Sequence, residues 1–101
     1  MVQIKLCGLD VVPAGSIKQF TVKEREVLVI NREGKYYCLD ARCTHAGAPL
    51  AEGTLDGEVL TCPWHGSQFR ITDGKVLRGP TTKELKTYSL LVRDDFLFIE
   101  L

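Results

Sequence analysis

The segment "CPWHGSQF" at residues 62–69 carries a thiol and an imidazole three positions apart. A second segment, "CTHAGAPL" at residues 43–50, carries the same two groups two positions apart. Together the segments read Cys-x-His, sixteen intervening residues, Cys-x-x-His, and they contain both histidines of the chain. Thiolates and imidazoles are good metal ligands, so the pattern predicts one metal centre that is built from two loops.

The rest of the sequence predicts an antiparallel all-β domain. Short runs of alternating or β-branched residues recur along the chain, with turn residues between them. No stretch shows the 3.6-residue apolar period of an amphipathic helix, so we expect any helix to be a single turn. The strand-like runs are "VQIKL", "SIKQFTV", "EVLVIN", "KYYCLD", "GEVLT", "SQFRIT", "LKTYSLLVR" and "FLFIE".

The turns between these runs have signals of their own. The segments "REGK" (32–35), "LDGE" (55–58) and "TDGK" (72–75) each place Gly after an acidic residue, where a two-residue hairpin loop needs positive φ. The segment "RDDF" (93–96) predicts a similar tight reversal. A hairpin in "GTLDGEVLT" (53–61) lies between the two Cys/His segments, and it is expected to bring them side by side.

Charge and apolar pattern exclude several classes of partner. Thirteen basic residues balance thirteen acidic ones, so no field for nucleic acid or a membrane surface is expected. No segment approaches the ~20 apolar residues that a membrane span needs, and no secretory signal is recognisable. We therefore expect a cytoplasmic protein whose four cysteines are reduced or metal-bound.

Three metal sites are compatible with the four ligands. Structural zinc accepts two cysteines and two histidines, but common zinc modules pair like with like, whereas each pair here is mixed. A mononuclear iron centre would need a carboxylate and would leave the cysteines unexplained. A [2Fe-2S] cluster with both cysteines on the inner iron and both histidines on the outer iron would explain why Cys precedes His in both segments.

Both segments resemble the motif of the Rieske proteins. The resemblance implies a Rieske-like antiparallel β-sandwich or barrel, with one domain at residues 1–101 and a cluster-binding subdomain at about residues 41–82. It also implies a Rieske-type [2Fe-2S] cluster as cofactor. The implied ligands are Cys43, His45, Cys62 and His65.

A Rieske cluster transfers one electron at a time, and the sequence offers no second reactive site. It contains neither a Gly-x-Gly-x-x-Gly nucleotide motif nor a spare histidine, so we expect a carrier and not an enzyme. The chain resembles the soluble Rieske ferredoxins of bacterial oxygenase systems over nearly its whole length. This implies a monomer that passes electrons from an NAD(P)H-dependent flavoprotein reductase to a terminal oxygenase, without binding nucleic acid or membrane.

Two alternatives stay open at this point. The chain could be the Rieske small subunit of a nitrite reductase, or, more remotely, a structural zinc module. Many relatives have an acidic residue after the loop phenylalanine, where this chain has Arg70. That departure leaves the fold intact and bears on which partner proteins the carrier recognises.

Five further residues are expected around the cluster. Gly47 and Gly66 either permit tight turns or let backbone amides approach the sulfides. The Ser67 hydroxyl could donate to a bridging sulfide. Trp64 either shields the cluster or completes a local core, or it lies at an exposed tip where it would help a partner dock. Pro80 resembles part of the family's third loop, which covers the cluster from the opposite side.

Other cysteines and arginines near the motif have simpler interpretations. Cys7 and Cys38 lie in strand-like runs and are expected to be small core residues. Arg42, Arg70 and Arg78 flank the two segments in the sequence. They either form a basic rim for an acidic partner or are ordinary solvated side chains.

We expect a reduction potential near the lower end of the Rieske range. High-potential relatives have a disulfide between the two loops and a tyrosine after the second, at positions that resemble Ala48, Trp64 and Phe69 here. Without the disulfide and the tyrosine hydroxyl, the midpoint should lie at about −150 mV. Voltammetry measures it, and a midpoint well above zero would contradict the prediction.

Overall fold

The structure, a computed structural model, describes residues 2–101; the predicted domain starts at Met1, which lies outside the described residues. Within them the chain forms eleven β-strands and two single 3-10 turns, at Leu9–Val11 and Leu50–Glu52. The predicted all-β fold is therefore confirmed. The strands are β1 (Gln3–Gly8), β2 (Ile17–Val22), β3 (Arg25–Arg32), β4 (Lys35–Asp40), β5 (Thr54–Asp56), β6 (Val59–Thr61), β7 (Gln68–Arg70), β8 (Val76–Arg78), β9 (Thr87–Tyr88), β10 (Leu90–Arg93) and β11 (Phe96–Glu100).

The strands form three antiparallel sheets. The outer sheet has the order β1-β11-β10, the central sheet β2-β3-β4-β9, and the third sheet β5-β6-β7-β8. Each predicted run coincides with strand structure, although "LKTYSLLVR" is divided into β9 and β10 at Ser89. Strand β8 was not predicted from the sequence, because it is three residues long and two of them are exposed.

Strand β3 of the central sheet is buried on both faces. Five consecutive residues of β3, at positions 27–31, are buried. Since successive side chains of a strand point to opposite faces, Val27 and Val29 join one core while Leu28 and Ile30 join another. The first core lies between the central and outer sheets, and the second between the central and third sheets. The first core also contains Val12, Val22, Cys38, Leu97 and Ile99, and the second also contains Leu39, Leu50, Leu60, Phe69, Ile71 and Leu85.

Two of the predicted hairpins have the expected two-residue loops with positive φ at both positions. Glu33 and Gly34 in "REGK" have φ of 54° and 87°, and Asp94 and Asp95 in "RDDF" have φ of 52° and 65°. In "LDGE" the loop residues are 57 and 58, and Gly57 has φ of 60°. These turns are confirmed, and they match the right-handed twist of the strands that they join.

The prediction of a two-residue hairpin in "TDGK" is wrong. Strand pairing resumes only at Phe69 and Val76, so the loop between β7 and β8 is longer. Gly74, with φ of 75°, lies directly against the backbone of Leu85, where a Cβ would collide with the carbonyl oxygen. The Leu85 N–H also donates to the Gly74 carbonyl. Packing against this distant segment, and not local turn preference, determines the shape of the loop.

Helical structure in residues 2–101 is too short for a membrane crossing, since no helix there has the length and apolar character required.

Substitution of Leu28 tests the two-sided burial of the central sheet. Leu28 is fully buried in the second core, so Leu28→Ala should lower the free energy of unfolding by about 2–5 kcal/mol. Val92→Ala is the control, because Val92 is 57% exposed and its truncation should change stability by less than about 0.5 kcal/mol. Urea unfolding followed by circular dichroism measures both, and equal losses would contradict the assigned cores.

Candidate metal centre

The two Cys/His segments form two loops with the same backbone hydrogen bonds. In loop A, residues 43–48, the Cys43 N–H donates to the carbonyl of Ala48 and the Gly47 N–H donates to the carbonyl of Cys43, each at 2.9 Å. Loop B, residues 62–67, repeats both bonds at equivalent positions, at 2.8 and 3.3 Å. The shared signal in the sequence is a glycine four positions after each cysteine, which indicates the common turn.

The glycines of the two loops are explained by backbone conformation. Gly47 and Gly66 have φ of 72° and 77°, in the left-handed region that other residues rarely adopt. A Cβ at either position would meet no protein atom within 4 Å. The tight turn therefore accounts for glycine here, and the space beside each turn is open.

The structure brings the four predicted ligands together as two pairs. Cys43 and Cys62 are free thiols with exposed fractions of 3% and 4%, and they are close enough that Cys62 raises the pKa of the Cys43 thiol. His45 and His65 are exposed, and their ring centroids lie 5.0 Å apart at an interplanar angle of 80°. The thiol pair is thus buried and the imidazole pair lies at the surface. This agrees with a cluster whose inner iron is bound by the cysteines and whose outer iron is bound by the histidines.

The separation into pairs favours a two-iron cluster over a single ion. A structural zinc site needs four donors about 2.0–2.3 Å from one point. A Rieske cluster instead needs two thiolates on one iron and two imidazoles on the other. The donor set and its arrangement therefore fit the cluster.

The surroundings of the thiols also fit a cluster. Burial raises the pKa of the Cys43 thiol, the backbone N–H groups of His45 and Ala46 lower it, and contact with Cys62 raises it further. Without a cation the Cys43 thiol therefore favours its neutral form. Metal binding would favour the thiolate, which is the form of cysteine that binds metals.

Ser67 is the last residue of loop B, and its side chain is fully buried. Its Oγ accepts a hydrogen bond from the backbone N–H of Thr81 at 3.2 Å. Among the described residues the hydroxyl donates to no protein acceptor. This arrangement agrees with the expectation that the proton is available to a sulfide.

Trp64 lies on the surface beside His65. Its side chain is 56% exposed, so the interpretation that it completes a local core is wrong. The reason is the length of loop B, which carries residues 63–65 outward while its two ends stay buried. Pro80 is exposed as well, and its neighbour Thr81 is the residue of the third loop that contacts loop B.

The predicted basic rim is largely neutralised by neighbouring carboxylates. Arg42 pairs with Glu26 at 3.1 Å, and Arg70 pairs with Asp73 at 2.9 Å. The Arg42 hydrogen bond lowers the pKa of the Glu26 carboxyl, and the Arg70 hydrogen bond lowers that of Asp73. Only Arg78, exposed and without an ion pair in residues 2–101, still fits the idea of a rim that attracts an acidic partner.

The two cysteines outside the loops pack in the first core, as expected. Cys38 is buried, and Cys7 is half-buried against the same core. Burial, with a smaller contribution from Asp40, raises the pKa of Cys38 to about 12. Such a thiol stays neutral and inert at physiological pH.

The all-β scaffold, the two matched loops and the paired thiols and imidazoles define an iron–sulfur protein. The sequence profile of the family described as Rieske [2Fe-2S] domain matches residues 2–89. The chain therefore belongs to the Rieske [2Fe-2S] domain family, and its cofactor is a Rieske-type cluster. When bound, such a cluster accepts and donates one electron at a time.

Known relatives match almost the full chain. The ferredoxin component of the naphthalene 1,2-dioxygenase/salicylate 5-hydroxylase systems of Ralstonia sp. is 35% identical over 86 residues, which cover 85% of this chain and 83% of that protein. The ferredoxin of Sphingomonas yanoikuyae B1 has a TM-score of 0.92 and 30% identity, over 99% of both chains.

A third similar protein belongs to a solved complex of reduced oxygenase and oxidized ferredoxin in carbazole 1,9a-dioxygenase. It has a TM-score of 0.89 and 29% identity, over 97% of this chain and 92% of that chain. These relatives are ferredoxins, so the expectation of an electron carrier, and not an enzyme, is confirmed.

Replacement of Ser67 tests the hydrogen bond that is expected from its hydroxyl to a sulfide. A donor to sulfide stabilises the reduced, more negative cluster, so Ser67→Ala should lower the midpoint potential. One hydrogen bond of about 0.5–1.5 kcal/mol corresponds to about 20–60 mV for one electron. Voltammetry measures the shift, with the exposed Ser89→Ala as control. An unchanged midpoint in Ser67→Ala would show that the hydroxyl does not donate to the cluster.

Proposed function

We propose that this chain is the one-electron carrier of an aromatic-ring oxygenase system. It accepts an electron from an NAD(P)H-dependent flavoprotein reductase and passes it to a terminal oxygenase. The observation that carries the proposal is the full-length similarity to a ferredoxin that was solved in complex with its oxygenase, over 97% of this chain. Similarity to a ferredoxin component of a naphthalene dioxygenase system supports the same role.

The proposed ligands of the cluster are the two pairs described above. Cys43 and Cys62 bind the inner iron, and His45 and His65 bind the outer iron. The contact between the buried thiols and the 5.0 Å separation of the exposed imidazole rings support this division. Placing the imidazoles at the surface gives a docked protein a short path to the cluster, while the buried thiols keep the rest of the site out of water.

Five residues complete the proposed site. Gly47 and Gly66 form the two tight turns, Ser67 donates to a sulfide, and Trp64 and Pro80 lie on its exposed side. We assign the site to a cluster-binding subdomain at about residues 41–82, within one domain at residues 1–101. The third sheet lies in this range, and the core that it shares with the central sheet supports its place in a single domain.

We also propose a cytoplasmic location and a monomeric state. Cys7 and Cys38, the two cysteines that are not proposed ligands, form no disulfide, which supports a reducing compartment.

The exposed indole gives the carrier a contact for its partners. Trp64 is 56% exposed and directly precedes His65, so a protein that docks over the imidazoles would cover it. Aromatic side chains contribute strongly to binding when they become buried at an interface. Trp64 is therefore proposed to stabilise the complex with the reductase, the oxygenase or both.

A reconstituted electron-transfer chain tests the function. NADH, a flavoprotein reductase and a terminal oxygenase of a naphthalene dioxygenase system are combined with and without this protein. We expect product formation to depend on its presence, and the protein to be brown with a Rieske EPR signal only after reduction. A colourless protein that contains zinc, or product formation that is equally fast without it, would contradict the function.

The docking role of Trp64 is tested in the same assay. Trp64→Ala should raise the KM for the ferredoxin by about tenfold, because an interface residue of this kind contributes more than 1 kcal/mol. The midpoint potential should not change, since the indole is outside the buried part of the site. Val92→Ala is the matched control, because Val92 is 57% exposed on the distant outer sheet. An unchanged KM in Trp64→Ala would exclude the indole from the interface.

A further inference from the structure

The third loop, residues 79–83, follows β8 and contains one buried residue. Thr81 is 4% exposed, although Pro80 and Thr82 on either side are exposed. Hydrophobic packing does not account for this burial, because Thr81 belongs to neither hydrophobic core in residues 2–101. Its polar atoms instead contact both cluster-binding loops, as described below.

The side chain of Thr81 is part of a ring of three hydrogen bonds. Its Oγ1 lies 2.7 Å from the Oγ1 of Thr44, and it accepts a bond from the Lys83 N–H at 3.2 Å. The Thr44 hydroxyl donates to the Lys83 carbonyl at 2.6 Å. A carbonyl can only accept, so the single proton of Thr44 is used in that bond. The proton between the two hydroxyls must therefore come from Thr81, and every donor in the ring has one acceptor.

The ring attaches the third loop to loop A at a sensitive position. Thr44 lies between the proposed ligands Cys43 and His45. The backbone of Thr44 is therefore joined directly to both of these ligands. A displacement of Thr44 would move both of them.

The backbone of the same residue attaches the third loop to loop B. The Thr81 N–H donates to Oγ of Ser67, which leaves the Ser67 proton free to point toward the cluster. No backbone hydrogen bond joins loop A directly to loop B among the described residues. Thr81 therefore links the two loops: its side chain bonds to Thr44 in loop A, and its backbone N–H bonds to Ser67 in loop B.

We propose that Thr81 is a positioning residue that holds loop A and loop B at a fixed relative position through the hydroxyl ring with Thr44 and Lys83. The proposal rests on the proposed ligand assignment, because it concerns the geometry of those ligands. Thr81 acts through Thr44 and Ser67 and does not itself bind iron. Thr81 thereby reduces the variation in the relative position of loop A and loop B.

The test compares three variants of the cluster-loaded protein. Thr81→Val has nearly the same shape but removes the hydroxyl, and it leaves the backbone bond to Ser67 intact. Thr81→Ser keeps the hydroxyl. Thr82→Val is the matched control, because Thr82 is the adjacent exposed threonine and makes no side-chain hydrogen bond in residues 2–101.

Three measurements separate positioning from general stability. The rate of cluster release is measured from the loss of visible absorbance. The spread of ligand geometries is measured from the EPR line widths of the reduced protein. The hydrogen-bonded ring is monitored by hydrogen exchange of the Lys83 amide. In Thr81→Val we expect release about tenfold faster, because two half-buried hydrogen bonds, to Thr44 and to the Lys83 N–H, are lost. We also expect broader EPR lines and faster exchange at Lys83. Thr81→Ser should restore all three values, and Thr82→Val should match the wild type.

A double-mutant cycle tests the ring and covers a failure of Thr81→Val to fold. Thr44→Val breaks the same ring from loop A, so it should produce the same changes in cluster release and EPR line width. The Lys83 amide should exchange more slowly than in Thr81→Val, because its bond to Thr81 remains. The combined variant should release the cluster no more than about twofold faster than either single variant, because both remove one structure. Multiplied effects in the double variant would show two independent roles and overturn the proposal.

The remaining outcomes distinguish this inference from the proposed function. Faster release with EPR lines of wild-type width, or no rescue by Thr81→Ser, would mean that Thr81 only adds stability, and would overturn the proposal. Wild-type values in Thr81→Val would do the same. Absence of a Rieske EPR signal in the wild-type protein would instead contradict the ligand assignment and the electron-transfer function.

Discussion

Burial of the central sheet on both faces is the constraint on which the rest of the structure depends. Strand β3 has no exposed face at residues 27–31, so it needs apolar partners on each side. The outer sheet covers one face and the third sheet covers the other. The short strands of the third sheet would not be stable as an isolated sheet, because β5 to β8 are each only three residues long. Their packing on the central sheet fixes the position of both cluster-binding loops.

The second core extends to the proposed cluster site. Cys43 and Cys62 are members of this core, whereas the imidazoles of His45 and His65 are exposed. With the proposed ligands, a cluster bound here would lie between an apolar interior and water. The apolar side would exclude solvent from the sulfurs, and the exposed side would allow electron exchange with a second protein. This division follows from the position of the ligands within each loop, since both cysteines begin a loop at the edge of the core.

Polar contacts set the relative orientation of loop A and loop B, which the apolar core does not specify. A hydrophobic core places loop A and loop B near each other, but it is not directional and does not set the rotation of their backbones. Hydrogen bonds have preferred angles and distances, and within the described residues they join both loops to the third loop through Thr81. A cluster with four ligands on two irons tolerates little variation in ligand position, so directional contacts of this kind are needed beside the core.

Much of the fold could be predicted from the sequence because its signals are local. Strand-like alternation, the positive-φ turns at Gly34 and Gly57, and the spacing of Cys and His each depend on a few neighbouring residues. The prediction was wrong where distant contacts dominate. The loop at Gly74 takes its shape from the backbone of Leu85. For Trp64 the sequence left a local core and an exposed tip open, and the structure places the side chain at the surface.

The periodicity of the sequence thus predicted the all-β class, and the spacing of Cys and His led to the proposed four ligands. The family was indicated by the resemblance of both segments to the Rieske motif. Only the tertiary structure decided which side chains pair across the site. The hydrogen-bonded ring of Thr44, Thr81 and Lys83 joins residues up to 39 positions apart, and no local sequence pattern predicts it. The neutralisation of Arg42 by Glu26 is likewise a contact between separate strands and loops. Such contacts depend on how the sheets pack, because packing brings together groups whose distance along the chain carries no information about their distance in space.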